Sequence, residues 1–161
     1  MSPEVSARLP RMQLAALPWR RLEAQFEVLM ITSRLSRHWL IPKGWPMKGR
    51  NDAEAAAREA YEEAGVKGAI SRAALGSYQY SKQLSDGTGI LCRVEVYPLQ
   101  VERELSKWPE AGGRKRRWMT LAEAAAVAFE PGLANFLFGL DDEAILSTLN
   151  PPRQPEPLFM R

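Results

Sequence analysis

Three glutamates fall within five residues, at Glu59, Glu62 and Glu63, with Arg58 before them and Gly65 after. On a helix these positions are related by i, i+3 and i+4, so the three carboxylates project from one face. Like charges held so close repel, and a helix gains nothing from the crowding. A hard divalent cation removes the repulsion and accepts oxygen ligands of this kind. The residue types and their spacing therefore point to half of a metal site. The preceding stretch, 43–52, places Lys43, Lys48 and Arg50 among Gly44, Pro46 and Gly49. It reads as a basic loop, suited to an anionic ligand.

The carboxylates need a helix, and the sequence supplies its punctuation. Asn51 or Asp52 can cap the N-terminus, and Gly65 stands at the left-handed stop position, which predicts a helix over 53–64. Ala53, Ala57, Ala60 and Ala64 form a small-residue stripe for close packing on a sheet, about a third of a turn from the glutamates. Before the loop, 26–32 reads as a buried strand, 34–37 as a polar turn and 39–41 as a short strand stopped by Pro42. After the helix, 73–80 and 90–101 read as strands around a turn-rich 85–89 segment. Pro98 in the second hints at an edge or a bulge. A short strand is expected over 116–119, then a helix opened by the Thr120–Glu123 capping-box pattern, one started by Pro131, and one capped by Asp141.

Length and composition bound the rest. A chain of 161 residues suits one domain with a real core. The expected layout is an irregular 1–20 segment with three prolines, a domain over 21–150, and a proline-rich, disordered 151–161 tail. One cysteine, Cys92, and one histidine, His38, exclude an intrachain disulfide and any site built from several cysteines or histidines. Net charge is +3, which favours anionic small molecules and is too modest to argue for nucleic acid. No apolar run has the length of a membrane span, and the N-terminus lacks a signal-peptide pattern, so the expected compartment is cytoplasmic. Oligomeric state is not legible.

Gly44, Arg58-Glu59, Glu62-Glu63 and Gly65-Val66 fall at the spacing of the Nudix box, and the chain resembles the Nudix hydrolase family over 44–66. One position departs: where the box has its first Glu, this chain has Arg50. Two further stretches are similar to the diphosphoinositol polyphosphate phosphohydrolase branch, whose members also cleave diadenosine polyphosphates. They are Thr32-Ser33-Arg34 before the box and the basic 113–118 segment, with Arg114 and Arg116, before the last strand.

The resemblance implies an α/β Nudix fold, a mixed β-sheet sandwiched between helices. It implies hydrolysis of a diphosphate linkage in a phosphate-rich small molecule, of dinucleoside polyphosphate or diphosphoinositol polyphosphate type, by activated water. Mg²⁺ or Mn²⁺ is the implied cofactor, with Glu59, Glu62, Glu63 and the Gly44 carbonyl as ligands and Arg58 orienting the cluster. The general base is either a helix Glu or one of Glu102, Glu104 and Glu110. Arg34, Lys43, Lys48, Arg50, Arg114 and Arg116 are the substrate-binding candidates, with arginines giving bidentate phosphate contacts. Tyr78, Tyr80 or Trp45 can stack on a base. Two other readings stand beside this one. Arg50 is compatible with a non-catalytic Nudix-like binding module, and the basic loop with an RNA 5′-end pyrophosphohydrolase.

Overall fold

The computed structural model describes residues 9–149, and the expected 151–161 tail lies outside them. Among the described residues, eight strands form one mixed sheet: β1 (Arg11–Leu22), β2 (Gln25–Thr32), β3 (Trp39–Leu40), β4 (Lys43–Gly44), β5 (Val66–Ile70), β6 (Gly76–Gln83), β7 (Gly89–Glu104) and β8 (Arg116–Met119). Helix α1 (Asp52–Glu59) runs into a π-helical turn (Ala60–Ala64), and α2 (Leu121–Val127), α3 (Pro131–Phe138) and α4 (Asp142–Leu146) follow β8.

The centre of the sheet is the parallel pair β1 and β7, joined over Arg11–Trp19 and Cys92–Gln100; every other strand pair is antiparallel. This corrects the irregular reading of 1–20, because residues 11–20 belong to a central strand. Pro18 misled it. The Ala16 N–H faces β4, donating to the Pro42 carbonyl at 3.0 Å, so Pro18, two residues on, faces the same side. There it meets the seam where β4 (opposite Leu14 and Ala15) gives way to β2 (opposite Trp19 to Leu22). No ladder bond needs its missing N–H. Pro98 repeats the device on β7, which is likewise not an edge. It falls between β6, which ends opposite Val96, and β5, which ends opposite Leu99, and its carbonyl still accepts from Ser71 N–H at 3.0 Å. Strand β5 is absent from the sequence reading; Gly68 and a register shift at Lys67/Gly68 hide it.

Period-two alternation sorts the core onto the two faces of the sheet. Leu17, Trp19, Val28, Met30, Val94 and Val96 pack on one face with Leu133, Leu137 and Ile145 of the later helices. Leu14, Ala16, Leu29, Ile31, Tyr97 and Leu99 pack on the other with the alanines of α1. The buried alanine row is Ala53, Ala56, Ala60 and Ala64, whereas Ala57 stands partly exposed at its border. Of the two cap candidates Asn51 caps α1, in a capping box with Glu54, and the Thr120–Glu123 capping box forms as expected.

Candidate active site

The glutamates sit where α1 ends. Because the last turn widens to π geometry over Ala60–Ala64, Glu62 and Glu63 are not set at the angles of a regular helix. The three carboxylates accordingly do not converge; no ready-made three-carboxylate cage forms among the described residues. Glu62 turns outward to Arg58, Nε to Oε1 2.8 Å. Glu63 turns inward, is 8% exposed, and shares a hydrogen bond with Glu59. Burial is the main force raising the Glu63 pKa, to about 9, followed by that hydrogen bond. Burial also raises Glu59. Two carboxylates pressed together away from water call for a proton or a cation between them. A Cβ at Gly44 would collide with the Glu59 carboxylate, so only glycine lets Glu59 lie against the β4 main chain. Lys43 N–H donates to Glu63 Oε1 at 3.3 Å. Paired carboxylates against the β4 main chain form an oxygen-donor set that fits a hard divalent ion.

The end of this helix is held by an unusual number of donors. The Glu62 carbonyl accepts from Glu110 N–H (3.1 Å) and the Glu63 carbonyl from Trp108 Nε1 (3.1 Å). Arg116 Nη1 donates to Ala64 O (2.9 Å) and Gly65 O (3.2 Å), and Leu105 N–H also reaches Gly65 O (2.8 Å). Gly65 itself has φ 67°, and a side chain there would meet Trp108 and Arg116.

A cleft beside Glu63 gathers Arg34, Lys43 and Arg114 from the substrate-binding candidates, with Tyr80 of β6 on its wall. Arg114 reaches Glu110 (2.9 Å), the Thr32 carbonyl (3.0 Å) and Glu63 (3.8 Å). Lys43 Nζ lies 3.5 Å from Glu130 and 4.8 Å from the Tyr80 ring centre. Burial pulls its pKa below the usual lysine value, against the charges of Glu130 and Glu63. The other three cations are elsewhere. Arg116 is spent on the helix end and on the Trp108 ring, 3.9 Å from its centroid. Lys48 is exposed and does not line the cleft. Arg50 lines a separate groove with Arg58, Tyr61 and Lys67. Of the base candidates, Glu110 lies near enough to Glu59 and Glu63 to raise both, Glu104 is tied to Arg116 (3.6 Å) and Trp118 (3.2 Å), and Glu102 is exposed. Of the stacking candidates, Tyr78 is buried, and Trp45 packs under Arg11. Glu130 and Gln13, both on the cleft wall, escaped the sequence reading. Their partners Lys43 and Tyr80 are remote in sequence, and no local spacing marks them.

The family model described as NUDIX domain matches residues 13–140. The chain belongs to the Nudix family. Nudix hydrolase 12, mitochondrial, of Arabidopsis thaliana is 36% identical over 131 residues, which cover 77% of this chain and 64% of that protein. Nudix hydrolase 16, mitochondrial, of the same plant is 41% identical over 114 residues (69% and 63%). Diphosphoinositol polyphosphate phosphohydrolase 3-beta of Homo sapiens is 36% identical over 110 residues (66% and 63%). The match thus spans a little under two thirds of each relative's length. Among solved structures, a C. elegans Ap4A hydrolase binary complex superposes with a TM-score of 0.60 at 20% identity, over 80% of this chain and 93% of that one. Sheet and helices are the α/β Nudix fold. No helix among the described residues is long and apolar enough to cross a membrane, and the two plant relatives carry a mitochondrial name, which lends the cytoplasmic expectation no support.

Proposed function

We propose that this Nudix chain hydrolyses a diphosphate linkage in a phosphate-rich small molecule, of dinucleoside polyphosphate or diphosphoinositol polyphosphate type. One observation carries the reading: the Glu59–Glu63 pair borders a cleft lined by Arg34, Lys43 and Arg114. Carboxylates that need a cation and cations that need an anion adjoin each other, and a metal–diphosphate unit satisfies both.

Glu59, Glu62, Glu63 and the Gly44 carbonyl would hold Mg²⁺ or Mn²⁺. Such an ion supplies charge neutralisation at the phosphates and a lowered pKa for water. Glu62 reaches that set by exchanging its exposed ion pair with Arg58, which is worth little. Arg114 is braced by Thr32 and Glu110 and offers its guanidinium to phosphate oxygens in a fixed orientation. Lys43 gives a point charge, and Arg34, exposed at the rim, meets the more distant phosphates. Glu110 or a helix Glu accepts the proton of the attacking water.

The binding-module reading rested on Arg50. In this fold Arg50 lies in the groove of Arg58 and Lys67, outside the cleft, so the altered box position removes no group from the proposed site. The test is hydrolysis of a panel with Mg²⁺ or Mn²⁺, read as nucleotide products from dinucleoside polyphosphates and as released phosphate from diphosphoinositol polyphosphates. Turnover of at least one is expected, with kcat reduced by orders of magnitude in Glu63→Gln at retained fold. Ligand binding without turnover of any would favour the module instead.

A further inference from the structure

The groove that holds Arg50 lies apart from the cleft, and the proposed hydrolysis leaves it unused. It encloses about 350 Å³, and Arg50, Arg58 and Lys67 line it with a single carboxylate, Glu54. That carboxylate is already engaged. Its Oε1 accepts from the Asn51 N–H at 3.3 Å as half of the α1 capping box. Arg50 and Lys67 have no ion-pair partner among the described residues. Arg58 reaches Glu62 through Nε, which leaves its Nη groups for a second acceptor.

Like charges repel, yet the fold gathers these. The Tyr61 ring centre lies 4.9 Å from the Arg58 guanidinium carbon and 4.8 Å from Lys67 Nζ, and the ring face attracts both cations. The π-helical turn sets Tyr61, whose carbonyl accepts from Gly65 N–H at 3.1 Å. Strand β5 sets Lys67 opposite Arg103 of β7, a further like-charge pairing that costs stability. Arg50 completes the group. Where the Nudix box has a carboxylate this chain has a guanidinium, so the sign of the charge at that point of the groove is reversed.

We infer that the groove of Arg50, Arg58 and Lys67 is a second anion site, which takes the phosphate group of a small molecule. Phosphate offers enough acceptor oxygens to meet two arginines and a lysine at once, and it relieves their repulsion. The enclosed volume suits a small ligand. The inference goes beyond the hydrolase reading and does not depend on it, since no residue lines both the groove and the cleft.

Inorganic phosphate and phenyl phosphate, each titrated into the metal-free full chain and followed by amide NMR, locate binding residue by residue without turnover. Sodium chloride at matched ionic strength is the reference. Phosphate should shift the signals of Arg50, Tyr61 and Lys67 to saturation, separately from those of Arg34 and Arg114 in the cleft. Arg50→Glu and Lys67→Ala, both at exposed positions, should each weaken the groove titration about tenfold and leave the cleft titration unchanged. Arg34→Ala should do the reverse. The dispersed amide spectrum of each variant reports its retained fold. Tighter binding of phenyl phosphate at the groove assigns an ester whose carbon part lies along Ala57 and Ile70, and equal affinity assigns free phosphate. Shifts confined to the cleft overturn the inference. So do groove shifts that chloride reproduces, which leave a solvated basic face, or groove shifts that survive Arg50→Glu. Failure of the whole diphosphate panel would sink the hydrolase reading and leave this site standing.

Discussion

Gly44→Ala adds one methyl group at the closest approach between strand and carboxylate. The new Cβ would occupy the position of the Glu59 carboxylate. Either the strand or the side chain must move, and the structure indicates which. Strand β4 is two residues long but held on both sides. Gly44 and Lys43 pair with Leu14 and Ala15 of β1, Pro42 O accepts from Ala16 N–H, and Lys43 N–H donates to Glu63. The Glu59 side chain has free torsions and only one carboxyl partner. Glu59 should therefore swing away while the fold holds, at about 1–3 kcal/mol for the residual crowding. Displacing one ligand and opening the pair should lower divalent-metal affinity by about 10–100-fold. Gly112→Ala is the matched control, because a Cβ there meets nothing within 4 Å. Urea unfolding would measure the first effect, and Mn²⁺ titration with Mg²⁺-dependent substrate turnover the second. Wild-type metal affinity and kcat in Gly44→Ala would refute the placement of Glu59 against the Gly44 main chain as the metal-binding arrangement.

The Glu63 pKa of about 9 lies above the ordinary carboxylate value, so its contribution to stability is full below that ordinary value and is lost as pH rises toward 9. Metal-free protein should lose up to about 1.4 kcal/mol per pH unit between about pH 5 and about pH 8, and Glu63→Gln or excess Mg²⁺ should flatten the profile in urea melts; a flat metal-free wild-type profile would contradict the shared proton. Arg116→Ala strips donors from the Ala64, Gly65 and Leu105 carbonyls and should cost about 3–5 kcal/mol in thermal or urea unfolding. Arg34→Ala, at the exposed rim, should leave the melting temperature unchanged and raise KM for a phosphate-rich substrate; the opposite pattern would reverse the roles given to the two arginines.

The helix and its carboxylates were legible because their signals are local. Asn51 caps, Gly65 stops and the alanines face the sheet within a single stretch of chain. Strand β1 was hidden for the converse reason. Pro18 breaks a strand only if its N–H is owed to a neighbour, and whether it is depends on where β4 ends and β2 begins, which no local pattern records. The basic segment shows the same limit within a few residues. Arg114 and Arg116 read as one patch of charge. The fold sends Arg114 into the cleft toward Glu63 and folds Arg116 under Trp108 onto the helix end. Glu130 was invisible because it precedes Pro131 like any acid at a helix start, and its meaning comes from Lys43 across the cleft.

The placement of the glutamates at the end of α1 has an energetic consequence of its own. The C-terminus of a helix carries partial negative charge on carbonyls that lack helical donors, so anionic side chains are disfavoured there. Glu62 and Glu63 stand in that last turn. The segment around 104–116 offsets the cost carbonyl by carbonyl. Glu110 N–H, the Trp108 indole, Leu105 N–H and Arg116 take the oxygens of residues 62 to 65, so none of these is left facing the carboxylates unpaired. What remains is the negative charge of the side chains themselves, held in place by a rigid turn and only partly countered by Arg58 and Arg114. A flexible turn could relieve that charge by spreading the side chains apart. A clamped one cannot, and its remaining means of relief are a proton or a cation. The donors that secure the helix end thus sustain the demand for a metal ion.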